Sequence, residues 1–309
     1  MPSHDATKDP GQLARVLLPF ALDLPHTLAV FRYGAGDPAY AVDSRGIWRA
    51  LGTPLGAATV CSAVTGGELT VRAWGPGTGW VLERAEALHG LRDDPTGFEP
   101  LDPVIRALLH RFAGVRFART DLVLESLVPA VLSQKITGKE AFTSWRQLLY
   151  RYGLEAPGPT PKPMRVPPSA EVLRTLTDAD WHRLGVDHAH RTTLRRALGR
   201  ATSIEALSRR PADDAASALQ SIRGIGIWTA AEVAERAWGS ADHPSFGDYH
   251  VPSSVGVALT GEPADDDGMA RLLEKYHPHR GRVVRLIELG GIGKPRRGPR
   301  RSVPDYRNI

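Results

Sequence analysis

The sequence is poor in sulfur: one cysteine, Cys61, and three methionines in 309 residues. A lone cysteine excludes an intramolecular disulfide and any zinc or iron–sulfur site built from several thiolates. No apolar run approaches the roughly 20 residues that span a bilayer. The opening stretch, Met1 to Gly11, is polar and has no apolar segment behind a basic start, so no secretory signal is read there. The expected compartment is the cytoplasm, with no membrane partner. No transition metal or organic cofactor is implied.

What remains is ample for a core. A chain of this length that is 42% hydrophobic can fold as two domains. Its formal charge of +5 fits a polyanionic partner only weakly. The distribution says more: Arg280, Arg282, Arg285, Lys294, Arg296, Arg297, Arg300, Arg301 and Arg307 face only Glu288 and Asp305 after residue 279. That end either lies along phosphates or is a solvated basic tail.

The first third reads as β-rich. His26 to Tyr33 is a strand-like run; Tyr40 to Val42 and Gly46 to Leu51 flank a turn at Asp43-Ser44-Arg45. Leu69, Val71 and Ala73 alternate with Thr70, Arg72 and Trp74 between Gly66-Gly67 and Gly75-Pro76-Gly77, the pattern of an antiparallel meander. Helices are expected at 80–89 and 103–112. From Thr120 the period becomes helical, with Gly138 to Tyr152 carrying an aromatic stripe best read as core packing. A proline-rich connector follows from Pro157 to Pro168. Helices are then expected at 169–176, 178–184, 189–207, 212–222, 227–238, 250–260, 266–276 and 280–290. The expected class is α+β: a β-rich domain over 1–115, an all-α domain over 116–292 and a basic tail over 293–309.

The most informative segment runs from Leu219 through Arg223-Gly224-Ile225-Gly226-Ile227-Trp228-Thr229 to Ala231. Between two apolar-periodic stretches, it reads as a tight turn joining two helices. Gly224 and Gly226 permit positive φ and close backbone approach, and Ile225 plugs into the core. The turn's N–H groups and the next helix N-terminus form an anion site suited to a DNA phosphate, which positions a duplex without reading sequence. Twenty residues after Trp228, Asp248 lies in Ser245-Phe246-Gly247-Asp248-Tyr249-His250-Val251-Pro252, where Pro252 fits the first turn of a helix. An ionised carboxylate there is favoured by the helix dipole, either as a simple cap or as a catalytic group.

With Gly224-Ile225-Gly226-x-Trp228-Thr229-Ala230 followed by that aspartate, the chain resembles the helix-hairpin-helix DNA glycosylases, and among them the 3-methyladenine DNA glycosylase II branch. The resemblance is strongest from Thr120 to Gly291. It implies a monomeric enzyme acting on duplex DNA with damaged, alkylated purines, with Asp248 stabilising the sugar cation as the base departs. Relatives that also cut the strand carry a lysine where Trp228 stands, so the resemblance implies base release alone. Trp228 either stacks on the extruded base or packs in the core. The loop Ser133-Gln134-Lys135-Ile136-Thr137 matches the wedge-bearing loop, with Lys135 or Ile136 as wedge and Gln134 toward the orphaned base or the pocket. Arg223, Gly224, Ile225, Gly226 and Thr229 would meet the DNA backbone. A monovalent cation at the carbonyls of Ile222 and Ile225 is a further possibility of the resemblance.

The chain departs from the branch in its pocket, which is usually aromatic. Glu232 and Glu288 fall where rings are expected, and Tyr249 and His250 are further candidates to line it. Two acids either attract a cationic base, hydrogen-bond an uncharged one, or face solvent. Two other readings stay open: a noncatalytic DNA-binding protein that keeps the hairpin, and a glycosylase for a different lesion.

Overall fold

A computed structural model describes residues 11–293; the basic tail from 294 onward lies outside the described residues. Five strands, β1 (Gln12–Leu17), β2 (Tyr40–Asp43), β3 (Gly46–Thr53), β4 (Gly56–Thr65) and β5 (Glu68–Trp74), form an antiparallel sheet in the order β1-β5-β4-β3-β2. The β4–β5 turn is made by Gly66 and Gly67 at φ +59° and +78°, a backbone that matches the twist of the flanking strands. Leu69, Val71 and Ala73 are fully buried on one face. On the other, Trp48 and Trp74 stack with ring centroids 5.3 Å apart. The proline-rich connector, with its short pair β6 (Leu154–Glu155) and β7 (Arg165–Val166), covers them with Ala156, Met164 and Val166.

The run from His26 to Tyr33 is not a strand. It holds helix α1 (Leu24–Leu28) and one 3-10 turn, Ala29–Phe31. Asp23 accepts the His26 N–H at 3.2 Å and Pro25 sits in the first turn, so capping overrides β propensity. Strands β1 and β4 escape the sequence reading for a different reason. Leu13 and Leu17 of β1 are exposed, while Thr59 and Ser62 of β4 are buried, which blurs the alternation.

The helices that follow are α2 (Thr78–Glu83), α3 (Ala85–Leu88), α4 (Pro103–Arg111), α5 (Val123–Leu132), α6 (Gly138–Tyr152), α7 (Ala170–Thr175), α8 (Asp178–Arg183) and α9 (His188–Leu198). After them come α10 (Ala201–Glu205), α11 (Ala212–Gln220), α12 (Ile227–Val233), α13 (Val251–Thr260), α14 (Asp266–Leu273) and α15 (Arg280–Leu289). The helix expected over 189–207 is broken after Gly199. The one expected over 227–238 turns into a π-helical segment, Ala234–Trp238, that Gly239 ends in the left-handed region at φ +64°.

Separate cores hold these pieces. One lies beneath the sheet, built on Leu51, Leu69 and Val71. A second joins α5, α6, α9, α11 and α12 through Val123, Leu127, Leu194, Leu219 and Val233. A third joins α13, α14 and α15 and takes in Ile105, Leu108 and Phe112. Thus α4, grouped by sequence position with the β-rich part, packs against the C-terminal helices, because its buried side chains Ile105 and Leu108 match their apolar faces.

Candidate active site

The hairpin between α11 and α12 is held by sterics as much as by hydrogen bonds. Gly224 has φ +103°, and a Cβ there would fall 2.1 Å from Thr193 Oγ1. Ile225 is buried in the helical core, and its N–H donates to the Ile222 carbonyl at 2.9 Å. Gly226 differs from expectation: its φ is −98°, so no positive φ calls for glycine. A Cβ at 226 would meet nothing within 4 Å, so this side of the hairpin is open. Arg223 is exposed beside it, its carbonyl taking a bond from Arg196 Nη1 at 3.3 Å.

Two polar residues assigned to DNA or base are committed inside the protein. Thr229 is buried, and its Oγ1 accepts from Gln134 Nε2 at 2.8 Å, while the same amide donates to the Gly224 carbonyl at 2.9 Å. The buried Thr229 hydroxyl finds its partner in the half-buried Gln134 amide, as a polar atom withdrawn from water requires. Gln134 therefore braces the loop after α5 against the hairpin instead of lining a pocket. His190 Nε2 grips the Gln134 carbonyl at 2.8 Å, with Nδ1 2.8 Å from Asp187 Oδ1. Lys135 stands exposed at the loop tip with φ +55°, and Ile136 is half-buried. Thr137 and Glu140 then form a capping box that starts α6.

Asp248 is set by a turn and two helices. Gly247, at φ +82°, lets the Asp248 N–H reach back to the Ser245 carbonyl at 3.2 Å. Asp248 Oδ1 accepts the N–H groups of His250 (2.7 Å) and Val251 (3.0 Å) at the start of α13. Its other oxygen accepts Trp228 Nε1–H at 3.2 Å. One turn further along α12, Glu232 Oε1 accepts from Ser245 Oγ at 2.6 Å. Two rungs, four residues apart on one helix face, thus fasten the aspartate loop to α12.

Beside this ladder opens a cavity of about 220 Å³. Its wall is drawn from Ala29, Val30 and Arg32 after α1, from Glu232, Glu235 and Arg236, from the 240–245 loop, and from Val284, Arg285 and Glu288 of α15. Glu232 and Glu288 are therefore brought together on one wall. Tyr249 and His250 are not: Tyr249 is 90% exposed, and the two rings meet edge to face on the surface. Neither Trp228 nor Asp248 forms the wall itself; both stand next to it through Glu232 and Ser245.

Arg236, which the sequence reading passed over, organises the wall. Its Nη1 lies 2.8 Å from both Glu232 Oε2 and the Glu232 carbonyl, and its Nε donates to the Val30 carbonyl at 3.1 Å. Burial alone would lower its pKa, but Glu232, Tyr33 and Glu235 outweigh that and raise it, so it stays charged. The signal was in the sequence as the i,i+4 pair Glu232–Arg236. Glu288 is reachable by water yet crowded by protein atoms within the concavity. Lost hydration first, then Glu235, pushes its pKa up to about 7. Among the described residues, no group of three or more His, Cys, Asp or Glu is placed to hold a metal ion.

The chain has the fold of the helix-hairpin-helix DNA glycosylases. It superposes on a 3-methyladenine DNA glycosylase from Archaeoglobus fulgidus with a TM-score of 0.73 and 20% identity, covering 89% of this chain and 97% of that one. MBOgg1 in complex with a low-affinity DNA ligand matches with a TM-score of 0.72 and 15% identity over 92% and 98% of the two chains. The Clostridium acetobutylicum 8-oxoguanine glycosylase/lyase in complex with double-stranded DNA matches with a TM-score of 0.67 and 12% identity over 88% and 93%. No protein-family model and no curated protein matches the sequence. No helix among the described residues is long and apolar enough to cross a membrane.

Proposed function

We propose that the protein is a monofunctional DNA glycosylase of base excision repair, releasing alkylated purines from duplex DNA as a monomer, with Asp248 as its catalytic carboxylate. The observation that carries this reading is the double fastening of Asp248, one oxygen on the α13 N-terminus and the other on Trp228, beside a cavity walled by α12 and α15. A carboxylate that accepts three hydrogen bonds is held in a fixed place, which is what stabilising a developing cation on the sugar requires. As the glycosidic bond breaks, its electron pair leaves with the base. Water then adds to the anomeric carbon and yields its proton to the carboxylate. The target base is flipped into the cavity, Lys135 or Ile136 fills the gap, and the hairpin from Arg223 to Gly226 seats a phosphate. Trp228 has no amine to attack the sugar, so no Schiff base forms.

Duplexes bearing single alkylated purines, treated with alkali after incubation, test the activity. Asp248→Asn is expected to slow base release by about a hundredfold or more while duplex binding persists. Borohydride is expected to trap no covalent adduct; a trapped one would make the protein a lyase. One observation favours a second reading, a noncatalytic DNA-binding protein: Asp248 Oδ1 serves as a helix cap, accepting the His250 and Val251 N–H groups. Failure of the unaltered protein to release any base from these duplexes, with duplex binding intact, would support that reading.

A further inference from the structure

Three carboxylates line the cavity, and two are spoken for. Glu232 is held by Arg236 and Ser245, and Glu235 lies 3.7 Å from Arg236. The cations of the wall are likewise committed. Arg285 Nη2 donates to the His26 carbonyl at 3.0 Å, and Arg32 donates to the carbonyls of Gly34 and Ala35 at 3.3 and 3.4 Å. Glu288 alone among these acids has no hydrogen bond or ion pair among the described residues. It projects from the last turn of α15 into a space that contains few rings to stack on.

Resting on the glycosylase reading, we propose that Glu288 is a specificity-determining residue that accepts the paired N–H groups of a cationic purine, a ring N–H and the amino group next to it. Two parallel N–H···O bonds from one base edge match the two oxygens of a carboxylate, and a positive charge spread through the ring strengthens both. An uncharged base with a carbonyl at that edge offers one donor and sets its oxygen against the acid. The pocket thus selects by charge and donor pattern where an aromatic one would select by stacking. The groups facing Glu288 are Glu232, Glu235 and Arg236 from α12 and its π-helical extension, Asp248 and His243 from the loop, Arg32 after α1 and Arg285 on its own helix. With its pKa pushed up to about 7, Glu288 loses its acceptor pair as the solution is acidified through neutrality.

The test compares single-turnover release of 7-methylguanine and of hypoxanthine from matched duplexes by the full chain and by Glu288→Gln. The ratio of the two rates is expected to fall by about tenfold or more in the variant, the scale of one charge-assisted hydrogen bond. In the unaltered protein that ratio rises with pH through about 7, and in Glu288→Gln the rise is absent. Equal effects on both bases, or an unchanged pH dependence, overturn the inference and leave the enzymatic reading intact. Release of neither base by the unaltered protein overturns both. Because Glu288 makes no internal bond and its ionised form is the one the wall disfavours, the variant should melt no lower than the unaltered protein, which separates specificity from folding.

Discussion

A single hydrogen bond joins Trp228 to Asp248, and deleting it isolates what the indole N–H does. Trp228→Phe keeps a ring at the site and removes the donor, so one oxygen of the carboxylate loses its fixed partner. The expected result is a fall in single-turnover base release of about tenfold, since a hydrogen bond to a charged group contributes roughly 1.5–3 kcal/mol. Duplex affinity should change little; a loss of affinity with no change in rate would assign the indole to packing alone. At this scale the positive φ of Gly224 and the place of Asp248 at a helix start were legible because they are set locally, whereas the negative φ of Gly226 was not. Tyr249 and His250 were drawn in by adjacency to Asp248, but a chain entering a helix points consecutive side chains in different directions. The resemblance assigned Gln134 to the orphaned base or the pocket and Thr229 to the DNA backbone. Their partner is each other, across 95 residues of sequence, and no local pattern reveals that.

At the scale of elements, the two hairpin glycines should behave oppositely. Gly224→Ala forces a side chain into the left-handed region and against Thr193. It is expected to destabilise by about 1–3 kcal/mol, read as a lower melting temperature. Gly226→Ala meets open space and should leave melting nearly unchanged, yet weaken duplex binding by placing a methyl where a phosphate would seat. Equal melting of both variants would show that the turn relaxes around Thr193. Helices with strong signals, such as α6 with its capping box, were legible nearly to the residue. The 24–31 segment was not, because a cap and a proline at its start outweighed the β-branched residues that followed. The change of α12 into a π-helical segment left no mark in composition.

For the whole molecule, the β-rich part and the helices meet over buried ionisable groups. Glu125 of α5 accepts the Gly52 N–H of β3 at 3.1 Å and lies 4.0 Å from Arg49. Burial, only partly offset by Arg49, pushes its pKa from the ordinary 4.5 up to about 7. Folding raises this pKa, so its contribution to stability is full below about 4.5 and is lost as pH rises through about 7. Calorimetric melting should therefore show a decline over that interval, smaller in Glu125→Gln; an identical slope in the variant would place the titration elsewhere. The overall class, a sheet followed by helices, was legible from the change of period near Thr120. The packing of α4 with the C-terminal helices was not, since an amphipathic helix does not name the surface it covers. Helix α12 begins just after Gly226, where a strand would be gripped, and within two turns it carries both anchors of the aspartate loop. Under the proposed function no slack segment would separate grasp from chemistry, so a nucleic acid that tilts the hairpin would also re-aim the carboxylate, and poor seating would become misalignment at the bond to be broken.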